Sequence, residues 1–122
     1  HIKNQVRSID ILPTILEILK IPVDQNYMKF DGESLMPILN GNNPPRIAFS
    51  QSGNPLNSGK PPKEPNVWAI RTDEWKFIFN VYDGTEELYN IQNDPNELNN
   101  LIDIELEISK KLRLKLNELE SK

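Results

Sequence analysis

Acid–base, nucleophilic and metal chemistry draw on histidine, cysteine or grouped carboxylates, and this sequence offers few such groupings. Its single histidine is His1, read as a solvated chain end rather than a base. The absence of cysteine removes thiolate metal sites, disulfides and a cysteine nucleophile together. Carboxylates are plentiful, but Asp103, Glu105 and Glu107 read as a charged helix face, and Asp73 and Asp83 as turn formers. Asp94, Asn96 and Asp103 lack the spacing, central glycine and terminal glutamate of a calcium loop, so no metal ligands are expected. Trp68, Trp75, Phe77, Phe79 and Tyr89 would suit a sugar-stacking platform, yet their alternation along strands makes most of them core. What remains is the stretch 51 to 66, where Asn54, Asn57, Lys60 and Lys63 are candidate substrate contacts. Polar side chains on a loop mounted on a rigid sheet are a common way to build a binding site. The other reading of this stretch is a disordered surface excursion.

The elements that must position these residues follow from period and punctuation. "VRSIDILPTILEILKIP" begins extended at Val6 and Arg7, and Ser8 is expected to cap a first turn. Pro13 is tolerated if the regular helix starts near it, and Ile15, Leu16, Ile18 and Leu19 then require cover on more than one side. "DGESLMPILNG" reads as an Asp-Gly turn, a short helix near 34 to 39, and Asn40-Gly41 as its exit. "RIAFS" at 46 to 50 is expected to be a strand. From Pro44 to Pro65 the chain carries six of its ten prolines, so 51 to 66 is read as a long loop. "VWAIR" and "WKFIFNV" form a hairpin around Thr72-Asp73-Glu74, with Trp75, Phe77, Phe79 and Val81 on one face by period two. "EELYN" follows the Asp83-Gly84 turn as a further strand. A closing helix over 103 to 119 carries Ile104, Ile108, Leu112, Leu116 and Leu119 as its apolar stripe, with acids early and Lys110, Lys111, Arg113 and Lys115 later. The expected class is α+β: a small antiparallel sheet of about four strands packed by a C-terminal helix, preceded by a helical N-terminal segment.

Composition narrows the partners. With 122 residues, 37% hydrophobic, 26% charged and a net charge of −4, the chain suits one modest globular domain. The acidic balance and the lack of a basic stripe exclude nucleic acid as an expected partner. No apolar run is long enough to span a bilayer as a helix, so no membrane partner is expected either.

Three segments carry a further signal. The first is "VRSIDILPTILEILKIP", with Asp10, Pro13, Thr14 and Pro22; the second is "DGESLMPIL". The third, "RTDEWKFIFNVYDGTEELYNIQNDPNELNNL", carries Lys76, Glu87, Leu88, Tyr89, Asn90, Asp94, Pro95, Glu97, Asn100 and Leu101. In this order they resemble the C-terminal portion of the sulfatase family. The resemblance implies that 1 to 22 is the tail of a large α/β sulfatase domain and that 23 to 122 is an α+β subdomain completing one wall of the substrate cleft. It implies that Glu97 and Asn100 hold a corner between the last strand and the helix. It also implies, for the full enzyme, a formylglycine made from a Cys/Ser-x-Pro-x-Arg motif, a calcium ion, a sulfated small molecule or glycan as substrate, and export from the cytoplasm. No Cys/Ser-x-Pro-x-Arg occurs in this sequence. The chain is therefore expected to depend on an absent N-terminal sulfatase domain, to be inactive alone, and to self-associate through its exposed first helix. An autonomous α+β binding or interaction module is the alternative. A phosphatase or phosphotransferase relative is a third possibility, against which the Glu-Leu-Tyr-Asn ending speaks.

Overall fold

The computed structural model describes residues 4–24, 27–42, 44–56, 59–60 and 62–121. They belong to two compact units, His1–Arg46 and Ile47–Lys122.

In the first unit a 3-10 turn, Ser8–Asp10, runs directly into helix α1, Ile11–Ile18. The regular helix starts two residues before Pro13, which sits in the first turn, where no intrahelical bond needs its missing N–H. The cap comes from Asp10 rather than Ser8, since the Asp10 carboxylate accepts from the Arg7 N–H at 3.1 Å. The helix ends in a left-handed Lys20 at φ 53°, with Ile21 N–H on Leu16 C=O and Lys20 N–H on Glu17 C=O, both 3.0 Å. That six-to-one and five-to-two pairing satisfies the last carbonyls before Pro22 stops the chain from continuing. Helix α2, Met36–Leu39, is a single turn that leaves through Asn40 and Gly41, the glycine at φ 87°.

The second unit is an antiparallel meander in the order β1 (Ala48–Ser52), β2 (Val67–Arg71), β3 (Trp75–Asn80), β4 (Thr85–Asn90), followed by helix α3, Leu106–Glu120. Register places Phe49 opposite Ile70, Ile70 opposite Phe77, and Phe77 opposite Leu88. Period two sends this row to one face, where it meets Leu112 and Leu116 of α3. Ile70, Phe77, Leu88 and Leu116 are fully buried, each contributing about 1.5–3 kcal/mol of apolar burial. Trp68, Trp75 and Phe79 pack on the same core, and Trp68 meets Phe79 edge to face at 6.1 Å between ring centres. These aromatics are core, as the alternation predicts.

Several boundaries differ from the sequence reading: α1 starts at Ile11 rather than at Pro13, α2 at Met36 rather than near Ser34, and β1 runs on to Ser52, so the loop read over 51 to 66 begins only at Gly53. β1 begins at Ala48, two residues later than expected, because Arg46 is spent on polar contacts within the first unit. α3 begins at Leu106 because Ile104 and Glu105 both donate to the Leu101 carbonyl in a turn. Ile104 therefore stands outside the helical stripe and is exposed.

Candidate functional site

Asp10 is the most deeply buried charge of the first unit. Its carboxylate pairs with the Arg7 guanidinium at 2.7 Å and with Arg46 at 3.0 Å, and accepts from the Glu33 N–H at 2.9 Å. Burial pushes the Asp10 carboxyl up, but the hydrogen bonds from Arg7 and from the Glu33 and Arg7 N–H groups outweigh it and hold the carboxyl below its ordinary range. The hydrogen bond to Asp10 in turn raises Arg7, against the opposing effect of its own burial. Arg46 continues the chain of contacts by donating to the carbonyls of Glu33 at 3.1 Å and Ser34 at 2.6 Å. Thr14 does the same from the helix: its hydroxyl donates to the Asp10 carbonyl at 2.6 Å and accepts from the Leu35 N–H at 2.8 Å. Gly32 makes the approach possible, because a Cβ there would lie 2.0 Å from the Ile9 carbonyl oxygen. Asp10, Thr14 and the Asp-Gly turn are thus one tie between two segments. Beside it an open groove of about 570 Å³ runs along α1, lined by Leu16, Ile21, Val23, Met28 and Phe30 with Glu17 and Lys29. Ile11, Leu12, Ile15, Ile18 and Leu19 leave much of α1's apolar surface exposed.

The second cluster is the corner after β4. Asn100 Oδ1 accepts from the N–H of buried Leu88 at 3.0 Å and from Ile102 N–H at 3.1 Å, while Leu101 N–H donates to Leu88 C=O at 2.8 Å. Asp94 receives the N–H groups of Leu98 and Asn99, each at 2.8 Å, around the turn that holds Pro95. Glu97 sits in the left-handed region at φ 56° and takes the Lys76 ammonium of β3 at 2.6 Å. Tyr89 donates its hydroxyl to Glu87 at 2.7 Å, and that bond to a carboxylate, with burial added, pushes the phenol up to about 12. Glu87 also accepts from Asn80 at 3.0 Å, and Asn90 donates to Glu74 at 3.1 Å. Lys76, Asp94, Glu97 and Asn100 hold the corner, whereas Asn80, Glu87 and Tyr89 bond one another on the strands.

The third cluster is the loop between β1 and β2. Asn54 is bonded three ways: its N–H and C=O to the Asn66 side chain at 2.6 and 3.0 Å, and its Oδ1 to the Leu56 N–H at 2.9 Å. Lys60 and Lys63 are exposed. Asn57 and His1 lie outside the described residues.

Comparison with known proteins places the chain in a family. The family model for the N-sulphoglucosamine sulphohydrolase C-terminal region matches residues 1–122. The chain belongs to this sulfatase C-terminal family. It is 30% identical to arylsulfatase K of Canis lupus familiaris over 98% of this chain and 23% of that protein. It is 29% identical to the choline-sulfatase of Rhizobium meliloti over 77% of this chain and 17% of that protein. Among solved structures, a protein in complex with its substrate D-glucosamine-2-N,6-O-disulfate is similar with TM-score 0.65 and 27% identity, over 92% of this chain and 23% of that one. A 2-O GAG sulfatase matches with TM-score 0.59 and 25% identity, over 92% of this chain and 23% of that one. The chain thus spans about a quarter of the length of the first of these relatives, 23%.

The residues described in this sulfatase C-terminal chain do not fit a formylglycine or a calcium ion. There is no cysteine, and no serine is followed by x-Pro-x-Arg. Among the described residues no three His, Cys, Asp or Glu side chains converge, and Asp10 already faces two arginines. No helix among the described residues is long and apolar enough to cross a membrane. The sequence points to Asp10, Thr14, Lys76, Leu88, Glu97 and Asn100, and to Gly32 only as a turn residue; the roles of Arg46 and Asn66 and the approach of Gly32 to Ile9 come from the structure. Arg46 looked like the first residue of a strand, and Asn66 like the last polar residue of a loop. The local signal for Asn66 is its place directly before Val67, where β2 starts.

Proposed function

We propose that this chain is the C-terminal part of a sulfuric ester hydrolase, in which it completes the fold and supplies one wall of the substrate cleft. The nucleophile and the calcium ion that the family implies belong to the portion of the enzyme that its relatives carry and this chain does not span. On this reading residues 1–22 are the tail of the large α/β domain, and the exposed apolar side chains of α1 pack on that domain. Lys60 and Lys63, on the loop of the sheet, face the cleft, with Asn54 at the loop's base and Asn57 beside them in sequence. The substrate class is a sulfated small molecule or glycan, for which a sulfated amino sugar is the first probe, and the enzyme is exported. The observation that carries the reading is the use of the family's polar residues: Asp10, Lys76, Glu97 and Asn100 are all consumed in internal ties. That is the chemistry of a scaffold, and the exposed Lys63 of the loop is a cation suited to an anionic substrate. The test is hydrolysis of 4-nitrophenyl sulfate and of D-glucosamine-2-N,6-O-disulfate by the full-length protein and by residues 1–122 alone. Turnover by the full-length protein that is lost on chelation of calcium, with none from residues 1–122, is the expected result. Turnover by residues 1–122 that survives chelation sinks the proposal.

A further inference from the structure

Asn66 has an unusual division of labour between its backbone and its side chain. Its backbone belongs to the sheet: the N–H donates to Ser52 C=O at 3.0 Å, and the carbonyl accepts from Val81 N–H at 2.9 Å. Its side-chain amide turns back across the mouth of the loop. There Oδ1 accepts from Asn54 N–H at 2.6 Å and Nδ2 donates to Asn54 C=O at 3.0 Å. A primary amide presents one donor and one acceptor side by side, as a peptide unit does, so the pair adds one more rung beyond Ser52 opposite Val67. A second contact reinforces the first. A Cβ on Gly53 would stand 2.9 Å from the Pro62 ring, so the returning limb lies directly against the outgoing one. Lys63 follows Pro62 and precedes Asn66 by three residues, and is therefore held between two fixed points.

We propose that Asn66 is a positioning residue for the substrate-facing loop: its amide clamp on Asn54 sets the course of the limb 62–66 and hence where Lys63 stands. The inference rests on the reading of the loop as a cleft wall. A cationic side chain on an unfastened loop must be ordered when it meets an anion, whereas one on a clamped limb has been ordered by folding, so the clamp raises affinity without touching substrate. Because the groups that join Asn66 to the sheet are backbone groups, truncating its side chain opens the loop and spares the sheet.

The experiment compares Asn66→Ala, Asn66→Asp, Gly53→Ala and Lys63→Gln in the full-length protein, with D-glucosamine-2-N,6-O-disulfate as substrate. Asn66→Ala is expected to raise KM by about tenfold with kcat within about twofold, as loss of two ordinary hydrogen bonds from a binding loop permits. It is also expected to speed tryptic cleavage after Lys63 by at least about tenfold while the urea midpoint stays in place. Asn66→Asp, which keeps the acceptor for the Asn54 N–H but not the donor to its carbonyl, falls between Ala and Asn. Gly53→Ala displaces Pro62 from the other contact and gives the same KM rise, which keeps the test available if Asn66→Ala does not accumulate. A KM raised by Lys63→Gln but unmoved by Asn66→Ala and Gly53→Ala, with tryptic cleavage unchanged, overturns the clamp and leaves the cleft-wall reading standing. Tryptic cleavage accelerated by Asn66→Ala while Lys63→Gln leaves KM unaltered overturns the cleft-wall reading and with it any role in substrate affinity.

Discussion

Replacing Asn100 by alanine removes one oxygen and with it two hydrogen bonds, from Leu88 N–H at 3.0 Å and Ile102 N–H at 3.1 Å. The two losses are unequal. Leu88 is fully buried, so its amide loses its partner where water has poor access, a cost of about 1–3 kcal/mol. The Ile102 bond is exposed and exchanges for water at a cost of a few tenths, roughly the lower end of net hydrogen-bond contributions. The expected loss is about 2 kcal/mol, roughly a thirtyfold rise in the unfolded fraction. Urea unfolding of the full-length protein, followed by tryptophan fluorescence, reads it, because Trp68 and Trp75 both pack on the core that Leu88 helps to form. Asn100→Asp keeps the acceptor and should recover more than half of the loss. Turnover per folded molecule should stay within about twofold of the parent, because the side chain acts on the fold and not on substrate. Asn100→Ala that abolishes turnover while leaving the urea midpoint unchanged would refute the structural assignment of this corner.

Two other perturbations test the remaining ties. Asp10→Asn removes the buried carboxylate between Arg46 and Arg7, leaving them the exposed Glu33 carboxylate at 3.7 and 4.0 Å, and should cost about 3–5 kcal/mol, measured by the shift in urea midpoint. Because the folded carboxyl lies below its unfolded value of about 3.9, its contribution is complete above that pH and is lost as pH falls through the depressed folded value. The Asp10→Asn difference in stability should therefore be flat from neutrality down to about pH 4 and shrink only in stronger acid. At Glu97, glycine relieves a left-handed backbone that costs an L-residue about 1–2 kcal/mol while giving up an ion pair worth about 0.2–1 kcal/mol. Glu97→Gly should be near neutral or slightly stabilising and Glu97→Ala clearly destabilising; equal effects in thermal melts would show that the backbone geometry is not the controlling cost.

The parts of this molecule that could be read from sequence are those whose cause lies within a few residues. Trp75, Phe77 and Phe79 alternate, so a strand and its buried face follow from period alone, and β3 ends one residue short of the stretch that the period marks. Asp94-Pro95 announces a reversal for the same reason. Arg46 and Gly32 could not be read in this way, because the groups that give them meaning, Asp10 and the Ile9 carbonyl, lie far away in the chain. Asn66 is a middle case. Its place at the end of a loop was plain, but a side chain that imitates a peptide unit has no sequence pattern of its own. The late start of α3 has a similar origin, since Leu101 takes two amide donors that an uninterrupted helix would have used. The roles proposed for Lys60 and Lys63 would depend on residues outside this chain, and composition carries no trace of those.

The corner at Asn100 and Leu101 has a consequence for assembly. β4 is the last strand of the sheet, and on its outer side the Leu88 amide and carbonyl are already engaged by Asn100 and Leu101. A foreign strand that tried to zip on along β4 would find its docking groups occupied midway and would have to break two bonds before making any there. Edge pairing of this kind seeds domain swapping and fibre growth, and a single asparagine followed by a leucine acts as a stopper against it on this side of the sheet. Variants at Asn100 should therefore be watched for aggregation that begins while most of the molecules are still folded.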